Sequence, residues 1–262
     1  MEWQHIWAIM LRHIRLWMKD PNLILITFYW PVLDVFIWGF LGSWIQNMQQ
    51  TSHNYTAIFL FCILLWQVTC RSALVVISTL LEEIWAGNLI NLFSLPLRLS
   101  EWITGAILFD LMIGFFNAFY CMLLIFGLYR ISLLTILKIL VIFGPPLFIS
   151  GLWLGFMALF AIANFGKRAQ EMGWILAWFF SPLCGAFYPI NVFPKWVQTI
   201  SYCIPMTYVF EGLRNYIMYG TNPSYYLLYA YALSILYAIT AIIIFVWIFN
   251  RTKIRGLSRL SD

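Results

Sequence analysis

Long apolar runs separated by short polar breaks make up most of the chain, and the runs are of bilayer length. With about 20 apolar residues to a helical crossing, the pattern predicts six spans, over about 23–45, 56–81, 103–128, 136–162, 172–187 and 225–249. Pro31 and Asp34 fall in the first, Arg71 in the second and Asp110 in the third, while Pro145-Pro146 should kink the fourth. The break at 46–55 is polar and carries no Lys or Arg, and 164–171 is a short basic loop.

Ahead of the first span, residues 1–22 follow another pattern. Trp3, Trp7, Met10, Ile14 and Trp17 advance by threes and fours, with Arg12, Arg15 and Lys19 opposite them. Tryptophan on one face and cations on the other predict a helix lying in the headgroup plane. The alternative is a cytosolic helix packed on a partner. Asp20-Pro21-Asn22 ends it.

Two breaks are too structured to be simple connectors. The first, 82–102, reads EEIWAGNLINLFSLPLRLSEW. Glu82 and Glu83 close the preceding run, and Trp85, Leu89, Leu92 and Phe93 then recur near helical spacing until Pro96. A short amphipathic helix is expected there, either as a docking element or as an interfacial connector without a partner. The second runs from Ser181 to Gly220, and Pro182, Pro189, Pro194 and Pro205 cut it into pieces. Lys195 to Tyr202 and Met206 to Tyr219 have helical spacing but are too short and polar to cross. They should dip into or lie on the outer leaflet, with Glu211 and Arg214 paired on one face.

The expected fold is therefore all-α integral membrane: six transmembrane helices, an N-terminal interfacial amphipathic helix and short external re-entrant helices between spans 5 and 6. The organisation is a helix over 1–22, a transmembrane domain over 23–249 with the loop 82–102 and an external connector 188–224, and a basic tail over 250–262. Composition agrees, since 63% of the 262 residues are hydrophobic and only 10% charged, far from the quarter of a soluble globule. Arg12, Arg15, Lys19, Arg98, Lys167, Arg168, Arg251, Lys253, Arg255 and Arg259 fall on one side; Arg130, Lys138, Lys195 and Arg214 fall on the other. That bias places both termini and the Glu82 loop in the cytoplasm. The net charge of +5 then reads as topology, and no nucleic-acid partner is implied. No cleavable signal peptide is expected, because the first apolar run begins near Leu23 and lacks a small-residue cleavage site.

The two structured breaks carry a resemblance. Glu82, Glu83, Gly87, Leu89, Leu92, Ser94 and Pro96 resemble the first cytoplasmic loop of type-2 ATP-binding-cassette (ABC) exporter permeases. Tyr188-Pro189, Pro194-Lys195-Trp196, Pro205-Met206, Leu213-Arg214 and Gly220 resemble that family's connector between the fifth and sixth spans. The departures are Asn88-Leu89-Ile90 where the family more often has Thr-Leu-Glu, and no basic residue beside the acids. The resemblance implies that Glu82, Glu83, Trp85, Gly87, Leu89, Leu92, Ser94 and Pro96 belong to a coupling helix that meets separate ATPase subunits. It implies a dimer of permease subunits, homomeric by expectation, in a bacterial-type inner membrane, with membrane lipid around it. It also implies an external gate at Tyr188, Pro189, Pro194, Trp196, Pro205, Glu211 and Arg214, and an amphipathic drug, lipid or lipid-linked glycan as cargo. No cofactor is expected on this chain; ATP and Mg belong to the partner.

The remaining chemistry fits that division of labour. The one Gly-Lys, Gly166-Lys167, is followed by Arg168, and Ala161 stands where a P-loop needs glycine. The five cysteines, Cys62, Cys70, Cys121, Cys184 and Cys203, have neither Cys-x-x-Cys spacing nor metal-ligand spacing to a histidine, so neither a metal nor a catalytic site is expected. A polytopic acyl or glycosyl transferase would need more acids at a membrane face. An ion-gradient-driven secondary transporter would show more ionisable groups in its spans, or an internal repeat. Asp34, Arg71 and Asp110 are the intramembrane charges, and each unpaired one would cost roughly 2.5–3.5 kcal/mol. Asp34 and Arg71 lie at similar depth, about 15 Å from the cytoplasmic edge, and are expected to pair, with Asp110 as the other acid available. Most of the 14 Trp, 14 Tyr and 23 Phe are belt and packing residues. Phe179, Phe180, Phe187 and Tyr188 are placed to line a pathway.

Overall fold

In the computed structural model, which describes residues 2–49, 54–94, 96–169 and 171–255, these residues form helices joined by turns, with no strand among them. In chain order they are α1 (Trp3–Lys19), α2 (Pro21–Gln49), α3 (Tyr55–Trp85), α4 (Leu89–Ser94), α5 (Leu99–Tyr129), α6 (Leu133–Phe165), α7 (Met172–Leu183), α8 (Lys195–Tyr202), α9 (Pro205–Tyr219) and α10 (Ser224–Arg255). Their ends follow from local chemistry. Asp20 accepts the Asn22 N–H at 2.8 Å just before α2, and the Asn54 side chain caps Ala57 N–H at 3.0 Å. Pro205 opens α9, and Gly220, at φ +64, closes it in the left-handed conformation that glycine adopts without strain.

Five helices, α2, α3, α5, α6 and α10, are long and apolar enough to cross a membrane. The expected fifth span, 172–187, is shorter: α7 has 12 residues, about 18 Å of helix against a hydrocarbon core of about 30 Å. Pro182 lies in its last turn, and Gly185 then turns at φ +73. The sixth run extends beyond its expected end at 249, so 250–255 continue α10. Residues 256–262 of the basic tail lie outside the described residues, as do 50–53 of the first polar break and the side chains of Phe93, Lys167, Arg168 and Arg255. Pro145 and Pro146 lie inside α6, which is one continuous helix.

The bundle is organised around α3. Its most apolar stretch is 83% buried, against 22–39% for the other four long helices. It packs on α2, α5, α6, α7 and α9. The α3–α6 crossing is nearly backbone to backbone. A Cβ on Gly151 would lie 2.5 Å from the Thr69 carbonyl oxygen, and one on Gly155 would lie 3.1 Å from that of Ala73. Small residues four apart are how helices approach closely where lipid removes the hydrophobic drive. On the other side of α6, Ala230, Ser234, Ala238, Ala241 and Phe245 form the buried stripe of α10. Ser150 and Ser234 share a hydrogen bond of 2.8 Å in that interface.

Helix α1 does not lie apart from this bundle. Ile6, Ile9 and His13 are buried, and Gly105 of α5 makes room for Ile9. Trp3 and Trp7 point outward and are exposed. The helix therefore has one face for the protein and a separate tryptophan face, whereas the sequence pattern offered membrane surface and protein packing as alternatives. It lies at the end of the bundle that carries α4, here the loop end; α8 and α9 form a cap at the other.

Candidate functional site

At the loop end, α3 runs past the apolar stretch to Trp85, so Glu82 and Glu83 sit inside its last turns instead of ending it. Glu83 is only 1% exposed. Its Oε2 accepts from the Arg12 guanidinium of α1 at 2.7 Å and from the Asn88 side-chain amide at 3.0 Å. The Asn88 N–H also donates to the Glu83 carbonyl at 3.0 Å. One residue thus joins the middle of α1, the end of α3 and the start of α4. Glu82 lies 3.6 Å from Nδ1 of the buried His13, beyond hydrogen-bond reach.

A third acid completes this fastening. Glu101, in the first turn of α5, accepts the Glu2 N–H at 2.8 Å and the Arg98 N–H at 3.1 Å, and lies 3.1 Å from Nδ1 of His5. Helix α1 is therefore tied to both helices that flank the loop. Sequence reasoning missed Glu101, Arg12 and His5 as partners. The only signal available was an acid in the first turn after a cap position, which reads as ordinary helix capping.

Between these ties hangs α4. Leu89 and Leu92 are buried against the bundle, while Trp85, Gly87, Asn91, Ser94 and Pro96 are exposed. Gly87 turns at φ +62, so the left-handed step between α3 and α4 falls on the residue that takes it without strain. Of the residues expected to meet an ATPase, then, Glu83 is engaged by the chain's own α1 and Glu82 lies near His13 of the same helix, Leu89 and Leu92 face inward, and the rest form an outward surface.

Within the bundle, Asp34 accepts a hydrogen bond from Gln67 of α3 and is attracted electrostatically by Arg71. Asp110 accepts from Ser72 at 2.7 Å. Among the described residues, no three His, Cys, Asp or Glu side chains are grouped to hold a metal ion.

At the cap end, Arg214 donates to Glu211 at 2.9 Å and to the Gly185 carbonyl beyond α7, and Glu211 also accepts the Ile190 N–H at 3.1 Å. The pair joins α9 to the Pro-rich turn. Pro205 is buried at the head of α9, whereas Pro194 and Trp196 are exposed at the start of α8. Phe187 stacks on Trp38 of α2 with centroids 4.6 Å apart, and Phe180 packs on Trp153 of α6. Phe179 and Tyr188 are exposed. The four aromatics expected along a pathway thus divide between packing and surface.

Compared with known families, residues 4–219 match the ABC-2 type transporters, from the first turn of α1 to the end of α9. The chain belongs to the ABC-2 type transporter family. Membership makes it a transmembrane permease component of an ABC transporter, a multi-pass membrane protein whose family implies an ATPase subunit as partner. Permeases of this family normally have no catalytic site of their own. The match stops short of α10, the helix that buries its small-residue stripe on α6. A comparison with curated proteins found no match for the permease.

Proposed function

We propose that this permease is one half of the translocation path of an ATP-driven exporter, working as a homodimer with a pair of ATPase chains. The loop end faces the cytoplasm, α8 and α9 form a re-entrant external gate, and α7 completes a sixth, shortened passage with the turn that follows it. The observation that supports this most strongly is the outward surface of α4, with Ser94 and Asn91 exposed on a helix whose other face, Leu89 and Leu92, is anchored. An element fixed on one side and bare on the other can receive a push and pass it inward.

In this mechanism, ATP draws the ATPase chains together and displaces α4. Glu83 and Asn88 carry that displacement into α3 and α1, while Glu101 carries it into α5. Such a ligand acts only by favouring one of two arrangements of the spans. The cargo is an amphipathic drug, lipid or lipid-linked glycan.

The test is co-purification of the full chain with a P-loop ATPase, followed by the Ser94→Arg variant. We expect the wild type to retain the ATPase and stimulate its hydrolysis, and Ser94→Arg to lose both while eluting as a folded protein. A permease that purifies without an ATPase and is driven by an ion gradient would overturn the reading.

A further inference from the structure

Beneath the acid clamp a half-open groove enters the bundle. A cavity of about 640 Å³ lies where the end of α1 meets α2, α3, α5 and α7. Lys19, Asp20 and Glu82 rim it at the loop end, and Arg71 lies at its depth. The rise of α3 between Glu82 and Arg71 is about 16 Å. A second cavity of about 290 Å³ continues from there and shares Arg71, Leu74 and Trp174 with the first. Its other walls include Trp30 and Trp178, which like Trp174 are exposed on the outside of the bundle. The two cavities meet at these shared walls, the first reaching toward the loop end and the second toward the outer faces of α2 and α7, and we treat them as one slot. Their sizes suit a small-molecule site.

The charged groups of the slot lie at two levels, the rim and the junction, and between them the walls are mostly apolar, with the hydroxyls of Thr27 and Ser78 each bonded to its own helix. At the junction Arg71 is nine-tenths buried. A guanidinium stays charged, and its planar donors match a phosphate or a carboxylate two bonds at a time. Asp34 lines the same chamber and is also held by Gln67. An incoming anion that takes Arg71 therefore leaves Asp34 with a donor, which avoids stranding a buried carboxylate. Asp20 and Glu82 at the rim and Asp34 at the junction are also acidic, so the choice of an anion falls to Arg71, the buried cation at the junction.

We propose that the two chambers form one binding site for an anionic amphiphile, with its phosphate or carboxylate headgroup on Arg71 and its apolar part leaving between α2 and α7. The proposal rests on the permease reading only in regarding the occupant as cargo. Binding itself can be measured on this chain without an ATPase, so failure of either idea leaves the other standing.

The experiment is native mass spectrometry of the purified full chain with phosphatidylglycerol and, separately, phosphatidylcholine. We expect the anionic lipid to be retained at about tenfold lower concentration, as befits a charge-assisted contact. Arg71→Gln should abolish that preference, Leu74→Trp should fill the shared wall and lower retention of both lipids, and Arg130→Gln, at the exposed cap end, should change nothing. Equal retention of the two lipids by the wild type would overturn the proposal, as would an unchanged preference in monodisperse Arg71→Gln. Should Arg71→Gln aggregate, Leu74→Trp decides, and unchanged binding there overturns the proposal too. Dodecyl phosphate should displace the lipid where inorganic phosphate does not; equal displacement by both would reject an amphiphile.

Discussion

Glu83 is a buried carboxylate whose Oε2 accepts from Arg12 and Asn88, while its Oε1 has no donor in reach among the described residues. Removing Arg12 should strand most of that charge. Because the Arg12 side chain is partly exposed, water limits the loss, and we expect Arg12→Gln to cost about 1–3 kcal/mol. In a thermal-unfolding double-mutant cycle, adding Glu83→Gln should recover part of that loss, whereas strictly additive effects would show the two do not interact. The sequence displayed both residues and gave no sign of their contact. Arg12 reads as a headgroup cation and Glu83 as a loop acid, and 71 positions separate them, so no helical spacing could join them. Glu211 and Arg214, three apart on α9, were legible for the opposite reason.

Among the elements, the long apolar runs were readable because burial in lipid demands an unbroken stretch, and α8 begins and ends at the residues its spacing indicated because Pro194 and Pro205 bracket it. The end of α3 was not readable. Two adjacent acids normally end an apolar helix, but here Arg12 of α1 supplies a partner for Glu83, Glu82 stays partly exposed, and the helix continues to Trp85. Nor was the shortness of α7, since an apolar composition continues through the Gly185 turn. The α3–α6 crossing makes its own prediction. Gly151→Val places a branched side chain against the Thr69 carbonyl oxygen and Ser72, and overpacking of this kind costs about 1–3 kcal/mol or more. The expected outcome is a lower unfolding temperature and a reduced yield of monodisperse protein. Val on the open side of α5, at Gly114, where a Cβ meets nothing within 4 Å, should be tolerated.

At the scale of the whole molecule, α2 and α5 leave most of their apolar length uncovered by the chain itself. Aromatic side chains such as Phe40 and Trp44 extend along the outside of α2. Lipid and a second copy are the two coverings the proposed dimer requires. Native mass measurement of the purified complex should give two chains of 30.8 kDa together with two ATPase chains, and a single permease chain in the active complex would exclude the dimer. The distribution of fastenings suggests how such an assembly moves. Acids tie α1 to α3 and α5 at the loop end, whereas at the other end Arg214 grips the Gly185 carbonyl just beyond α7. The far end of α7 and helix α9, proposed above as part of the gate, are thus joined at one point. In the proposed exporter, a swing of that short helix would draw α9 with it, so the far side of the passage would unlatch in step with the helix beneath.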